Sequence, residues 1–203
     1  MDLEELFNEM QTYGFDAVTY QYFNQLLNHR TVVFNDSVGD SVVEKVFIPL
    51  RDFEKDNSTE PVTLILNSSG GSVSDGFFLA YYLSQYSKPL NIIVPGYACS
   101  MAAVLLAAGG KNENVIRSCF PCSYALIHDG YVALSPQESK TAGDIMAFND
   151  KVDDQIKNFF INNTNITEEE YNSHTRHQWF LDAEDMIKYN LADKIIGQDG
   201  DVL

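Results

Sequence analysis

Residues 96–109 read Gly-Tyr-Ala-Cys-Ser-Met-Ala-Ala-Val-Leu-Leu-Ala-Ala-Gly, and this stretch carries the most specific signal in the chain. The run Met101–Ala108 is apolar on every side, which predicts a helix buried in the core. Residues 96–99 are expected to form a turn after a strand, so Ser100 precedes the first turn of that helix. Backbone N–H groups and the helix dipole favour negative charge there, as an oxyanion requires. Ser100 is therefore either a nucleophile or a simple N-cap residue.

On both sides of this segment, strands alternate with helices along the chain. Strands are predicted at Thr31–Phe34, Val62–Leu66, Leu90–Val94 and residues 123–127, and a long amphipathic helix over residues 143–160. This alternation predicts an α/β domain with layered packing, whose sites gather beyond the strand ends. We expect a weakly specified N-terminal arm over residues 1–18 and one domain over residues 19–203.

Helix starts are indicated at three polar residues. Ser41-x-x-Glu44 and Thr167-x-x-Glu170 both have the spacing of a capping box, and Asp182 is expected to be the N-cap of a short helix.

Charge and composition exclude several function classes. The chain of 203 residues has a formal net charge of −16, which argues against nucleic acid as a ligand. No apolar run is long enough to cross a membrane, and the acidic N-terminus does not have the pattern of a signal peptide. The odd number of cysteines (Cys99, Cys119 and Cys122) indicates reduced thiols. We expect a cytoplasmic protein.

Two further segments carry candidate chemistry. The turn Asn67-Ser-Ser-Gly-Gly-Ser72 does not have the pattern of a nucleotide-binding loop, so it is a plain turn or a source of the Gly71 N–H as an oxyanion donor. His128 ends a strand, where it is either a general base or a surface histidine. His174 and His177 are spaced like metal ligands without a clear third ligand, and no metal or cofactor is expected.

Together these segments resemble the proteolytic subunit of the ATP-dependent Clp protease, ClpP. The blocks that carry the resemblance are residues 26–30, 67–72, 96–109, 125–128 and 180–184. The resemblance implies a crotonase-like α/β fold with layered sheets, surrounding helices and a long handle helix. It also implies heptameric rings stacked around a chamber, unfolded protein or peptide substrates, and an AAA+ unfoldase as partner.

The positions that match the family's motifs imply which residues form the active site. Ser100 matches the nucleophile and His128 the general base, while Gly71 and Met101 match the residues whose N–H groups form the oxyanion hole. The long helix after residue 143 matches the element through which two rings meet. Gln178 occupies the place of the family's third member, usually an aspartate. A glutamine carbonyl can orient the imidazole but cannot stabilise the imidazolium by charge.

Two other departures concern partners. The segment over residues 129–136 does not have the family's usual proline and glycine pattern, which bears on ring pairing. The positions that match the unfoldase docking pocket are Thr63, Ile65, Gln85, Ile93 and Pro95. Thr63 and Gln85 are poor anchors for a hydrophobic loop, so docking of a standard unfoldase is expected to be altered.

Two functions follow from these observations. The first is a serine endopeptidase that cleaves unfolded chains inside a ring, with Ser100, His128 and Gln178 as the triad. The alternative is a weak or inactive ring subunit with a structural or regulatory role, which the loss of the acid favours. Retention of the serine, the histidine and both oxyanion positions favours the first.

Overall fold

The structure is a computed structural model that describes residues 17–130 and 141–197. The strands are β1 (Thr31–Phe34), β2 (Val62–Leu66), β3 (Leu90–Val94), β4 (Tyr97–Cys99), β5 (Val115–Cys119), β6 (Tyr124–Ile127), β7 (Trp179–Leu181) and β8 (Lys194–Ile195). The α-helices are α1 (Ala17–His29), α2 (Ile48–Lys55), α3 (Val73–Ser84), α4 (Met101–Ala108), α5 (Ala142–Asn163), α6 (Glu168–His174) and α7 (Ala183–Lys188). A π-helical segment, Val43–Phe47, leads into α2. The arm expected over residues 1–18 lies almost entirely outside the described residues.

The larger sheet has the strand order β1-β2-β3-β5-β8, and all of its neighbouring strands are parallel. In β2 the side chains of Val62, Leu64 and Leu66 are buried, whereas Thr63 and Ile65 are half-buried. Because successive side chains point to opposite faces of a strand, one face of this sheet lies on the core and the other is partly open.

The smaller sheet has the order β4-β6-β7 and positions the candidate site. Strands β4 and β6 run parallel, with Cys99 opposite Leu126, and β7 pairs antiparallel to β6. The carboxyl ends of parallel neighbours meet at the same edge of a sheet. The residues that follow β4 and β6, Ser100 and His128, therefore leave the sheet at the same edge.

Helix α4 lies at the centre of the core. All of its residues are buried, as its uniformly apolar sequence predicts, and it packs against α3 and α5. Its burial fixes the position and direction of the helix that begins directly after Ser100.

The α/β class, the layered sheets and the long handle helix are confirmed, with α5 extending over Ala142–Asn163. Two local predictions are wrong. Residues 97–99, expected in a turn, form strand β4 because β6 supplies a partner. The capping box at Ser41 does not form. Backbone turns carry the chain into that helical segment instead, with Val42 N–H bonded to Gly39 O. The capping box at Thr167 and the Asp182 cap are confirmed.

In the part of the chain that the structure describes, no helix combines the length and apolar character that a membrane span needs.

Candidate active site

Ser100 has a backbone conformation that is rare for a residue with a side chain. Its φ is 54° and its ψ is −123°, and it precedes α4 at the N-cap position. Its N–H donates to Leu126 O (2.7 Å) and its carbonyl accepts from the N–H of Ala103 (2.9 Å), so neighbouring elements hold the turn. The Ser100 side chain makes no capping hydrogen bond. Ser100 occupies the N-cap position, but its side chain does not cap the helix. The interpretation of this serine as a simple N-cap residue is therefore wrong.

The glycine turn packs directly against this serine. A Cβ placed on Gly70 would lie 2.7 Å from Ser100 Cβ and 2.8 Å from the Met101 backbone nitrogen. Gly71 has a φ of 149°, and a Cβ there would collide with the carbonyl oxygen of Val38. Only glycine fits such close approaches. The fold thus brings the turn over residues 67–72 into contact with the start of α4.

The N–H groups of Gly71 and Met101 lie on the two sides of this contact. Among the described residues, neither donates a hydrogen bond, whereas the adjacent Ser72 N–H bonds to Val38 O at 2.7 Å. The Met101 N–H lies at a helix N-terminus directly after Ser100, and an N–H group so placed can stabilise an oxyanion. This arrangement is chemically suited to acyl transfer.

His128 is half-buried directly after β6, and its Nδ1 lies 2.5 Å from the backbone oxygen of Asp129. A carbonyl oxygen can only accept a hydrogen bond, so this contact requires the tautomer with the proton on Nδ1 and the lone pair on Nε2. That tautomer is the one a general base requires. The Asp129 N–H donates to Thr175 O at 3.1 Å, which ties this turn to the end of α6.

Ser100 and His128 line one small cavity of about 30 Å³. Its other walls are mainly apolar and come from Val73, Val104 and Ile156, together with Phe160. Apolar side chains of this kind lower the local dielectric, which strengthens electrostatic interactions along this wall. The neighbouring Cys99 is buried, and burial raises the pKa of its thiol, which keeps that thiol protonated.

Gln178 directly precedes β7, the strand that runs antiparallel to β6. Trp179 is paired with Ile127, so the chain continues with Gln178 across from His128. The Gln178 side chain is exposed. Asp182, the nearest acid in sequence, is engaged as an N-cap, with its Oδ1 accepting from the Asp185 N–H at 2.9 Å. That use of Asp182 agrees with the prediction.

Other candidate ligands lie outside this arrangement. The His174 ring stacks on Trp179 with a centroid distance of 4.5 Å. Cys119 is buried and burial raises the pKa of its thiol to about 11, whereas Cys122 is exposed. Within residues 17–130 and 141–197, no three side chains of the metal-ligating types converge on a point that could hold a metal ion.

Five positions match the unfoldase docking pocket in sequence. Three of them, Thr63, Ile65 and Ile93, lie on the partly open face of the larger sheet, where Ile65 is opposite Ile93. Gln85 is exposed at the end of α3, and Pro95 is half-buried after β3. Of the segment over residues 129–136, the part from residue 131 lies outside the described residues.

Two residues at the site were missed from the sequence. The backbone carbonyl of Asp129 accepts from His128, and a carbonyl leaves no signal in the residue type. Asp153, on α5, reaches the next residue in the turn, Gly130. Only the Asp-Gly sequence after the strand end could have indicated a tight turn there.

The sequence model of the Clp protease family matches residues 15–199. The chain belongs to the Clp protease family, because the match covers most of its 203 residues. Its described residues have the parallel sheet and the seven α-helices of the ClpP fold. At the level of the family it is a ClpP-like protease.

Proposed function

We propose that the protein is a serine endopeptidase in which Ser100 is the nucleophile and His128 the general base. One observation carries the proposal. The parallel ends of β4 and β6 bring a strained serine and a histidine whose Nδ1 faces a carbonyl oxygen to the wall of a single cavity. Strain at a residue that performs no capping is typical of functional sites.

The proposed chemistry uses the groups described above. Ser100 Oγ bonds to the carbonyl carbon of the substrate as its proton passes to His128 Nε2. The carbonyl π electrons move to oxygen, and the N–H groups of Gly71 and Met101 donate to the oxyanion. Collapse breaks the C–N bond, and Nε2 returns the proton to the leaving amine. A water molecule, deprotonated by Nε2, then hydrolyses the acyl ester and restores the Ser100 hydroxyl.

Gln178 is proposed as the third member, whose side-chain carbonyl would accept the Nδ1 proton in place of the Asp129 oxygen and so orient the imidazole. The antiparallel register that carries it towards His128 supports this role. An amide cannot supply the negative charge that an aspartate supplies in this place. The same feature supports the second candidate function, a weak or inactive ring subunit with a structural or regulatory role.

The proposed setting is a self-assembled ring of identical subunits, heptameric and stacked in pairs, that degrades unfolded polypeptides in the cytoplasm. The exposed side chains of Met146 and Phe148 on α5 support contact with another subunit. Thr63 and Gln85 favour altered docking of an AAA+ unfoldase. Residues 19–203 are proposed to be the peptidase domain and residues 1–18 an arm.

The function is tested by incubating the purified, assembled protein with a fluorescently labelled unfolded protein and with short fluorogenic peptides. Native mass spectrometry of the same sample reports the oligomer. We expect cleavage by the wild type and none by Ser100→Ala in an oligomer of equal size. Assembly of the wild type without cleavage would favour the inactive subunit. A monomer would contradict the ring.

A further inference from the structure

A second cavity, of about 380 Å³, lies beside the candidate active site. Asp129 lines it, whereas the two neighbours of this residue in the chain, His128 and Gly130, line the small cavity that contains Ser100. The two cavities therefore adjoin at the turn formed by residues 128–130. The remaining walls of the second cavity come from α5, from α6 and from the two residues that follow α6.

Two carboxylates of this cavity have no cation of their own. Asp154 is compensated, because its Oδ1 lies 3.0 Å from Lys157 Nζ. Within residues 17–130 and 141–197, the carboxylate of Asp129 forms neither an ion pair nor a hydrogen bond, and Asp153 forms no ion pair. Asp153 is half-buried, and its Oδ2 accepts from the neutral amide of Asn149 at 3.2 Å. A carboxylate in such a place is stabilised when a cation joins it.

The other cation of the lining does not fill this role. Arg176 is exposed, and in the described part of the chain it forms no ion pair. The lining has three carboxylates and two basic side chains, so it keeps a net negative charge. The cavity is therefore open to a further positive group.

Tyr171, on α6, gives an observation that does not depend on the carboxylates. Its residue is only 5% exposed and lines the cavity. Its hydroxyl has no hydrogen-bond partner among the described residues, and the oxygen is not cut off from solvent. Burial raises the pKa of Tyr171, and the carboxylates of Asp129 and Asp153 raise it further, so the hydroxyl stays protonated. Because buried polar groups are normally paired, this hydroxyl indicates a ligand that would pair with it.

We propose that this cavity binds the side chain of a lysine or arginine of the substrate, close to the peptide bond that Ser100 attacks. The carboxylates of Asp129 and Asp153 would compensate the charge of that side chain, and Tyr171 Oη would accept one of its N–H groups. Ammonium and guanidinium groups have several donors and no acceptor, which matches a cavity that presents carboxylate and hydroxyl oxygens. This inference rests on the proposed peptidase function and names the class of substrate that it selects.

The position of the bound residue follows from the shared turn. Consecutive Cα atoms of a substrate are about 3.8 Å apart, so a cavity that adjoins the candidate active site lies within about three residues of the scissile bond.

The test compares internally quenched peptides that carry arginine or its neutral analogue citrulline at each of the three positions on both sides of the cleaved bond. In the full-length assembled protein, we expect arginine to raise kcat/KM about tenfold at one of these positions, the effect of a charge-assisted hydrogen bond. Asp129→Asn and Tyr171→Phe should each lower this ratio about threefold or more. Equal cleavage of the two peptides at all six positions would overturn the inference.

The matched control is Asp144→Asn, which removes an equal charge from the exposed first turn of α5, outside the lining of the cavity. It should leave the ratio unchanged. An equal loss in this control would overturn the inference, because the overall charge of the protein would then explain the preference. Tyr171→Phe removes no charge, so its effect reports the hydroxyl contact alone.

Binding to the Ser100→Ala protein tests the cavity without catalysis. Fluorescence anisotropy of the same peptides, labelled at one end, should show arginine bound about tenfold more tightly than citrulline at one position, and Tyr171→Phe should reduce this difference. Equal binding at every position would overturn the inference. If the wild type cleaved no peptide and carried no fluorophosphonate adduct on Ser100, the proposed function would fail, and this comparison would still decide whether the cavity selects a cation.

Discussion

Replacing Ser100 by alanine and by glycine separates strain from capping at the candidate nucleophile. A residue other than glycine in a strained backbone region costs about 1–3 kcal/mol. Glycine at a φ of 54° avoids this cost but adds about 0.5–1 kcal/mol of chain entropy to the unfolded state. We therefore expect Ser100→Gly to raise the free energy of unfolding by about 1 kcal/mol. Ser100→Ala retains the strain and removes no cap, so it should change that free energy by less than about 0.5 kcal/mol.

Urea unfolding, followed by circular dichroism at one protein concentration, measures these changes. The control is Thr167→Ala, because Thr167 Oγ1 does accept the Glu170 N–H at 3.2 Å and is part of a formed capping box. Loss of that cap should cost about 1 kcal/mol. The reasoning is refuted if Ser100→Ala is destabilised as much as Thr167→Ala, or if Ser100→Gly is less stable than Ser100→Ala.

Three further substitutions test neighbouring parts of the site. Gly71→Ala should lower the free energy of unfolding by about 1–3 kcal/mol, because the new Cβ would collide with Val38 O. It should also slow the labelling of Ser100 by a fluorophosphonate about 100-fold, because it displaces an oxyanion donor. Labelling at the wild-type rate would contradict that role of Gly71. Gln178→Asp should speed peptide hydrolysis by placing a charge beside His128, and an unchanged rate in a folded protein would remove Gln178 from the third position. Burial raises the pKa of Asp153 above 3.8, so folding is less favourable when this carboxylate is ionised. This loss of stability is present above the pKa of the folded state, and it disappears as the pH falls through that pKa and the carboxylate is protonated. Asp153→Asn should therefore be more stable than the wild type at pH 7, with the difference shrinking towards pH 4 in urea unfolding, and a less stable variant at pH 7 would contradict this sign.

Local rules predicted much of the fold. Apolar runs gave β2, β3 and α4 correctly, because each must be buried whatever its partners are. Strand β5 was missed because Arg117 interrupts its apolar pattern. That arginine is buried and is satisfied by Asp193, with Nη2 and Oδ1 2.6 Å apart, which the local sequence cannot indicate.

The candidate site, like the fold, could be predicted from the sequence only in part. Ser100, His128 and Gly71 could be proposed because their residue types and positions after strands carry a signal. The Ser100 backbone strain and the His128 tautomer depend on how β4 and β6 pair and on the carbonyl of Asp129.

The most direct measurement is the mass of the protein after reaction with a fluorophosphonate under native, assembled conditions, with the adduct mapped by peptide fragmentation. A serine activated by His128 and placed beside the N–H groups of Gly71 and Met101 should carry one adduct, on Ser100. Ser100→Ala should carry none, and His128→Ala should react far more slowly. An unmodified Ser100 in the assembled wild type would contradict the proposal that this protein is a serine peptidase.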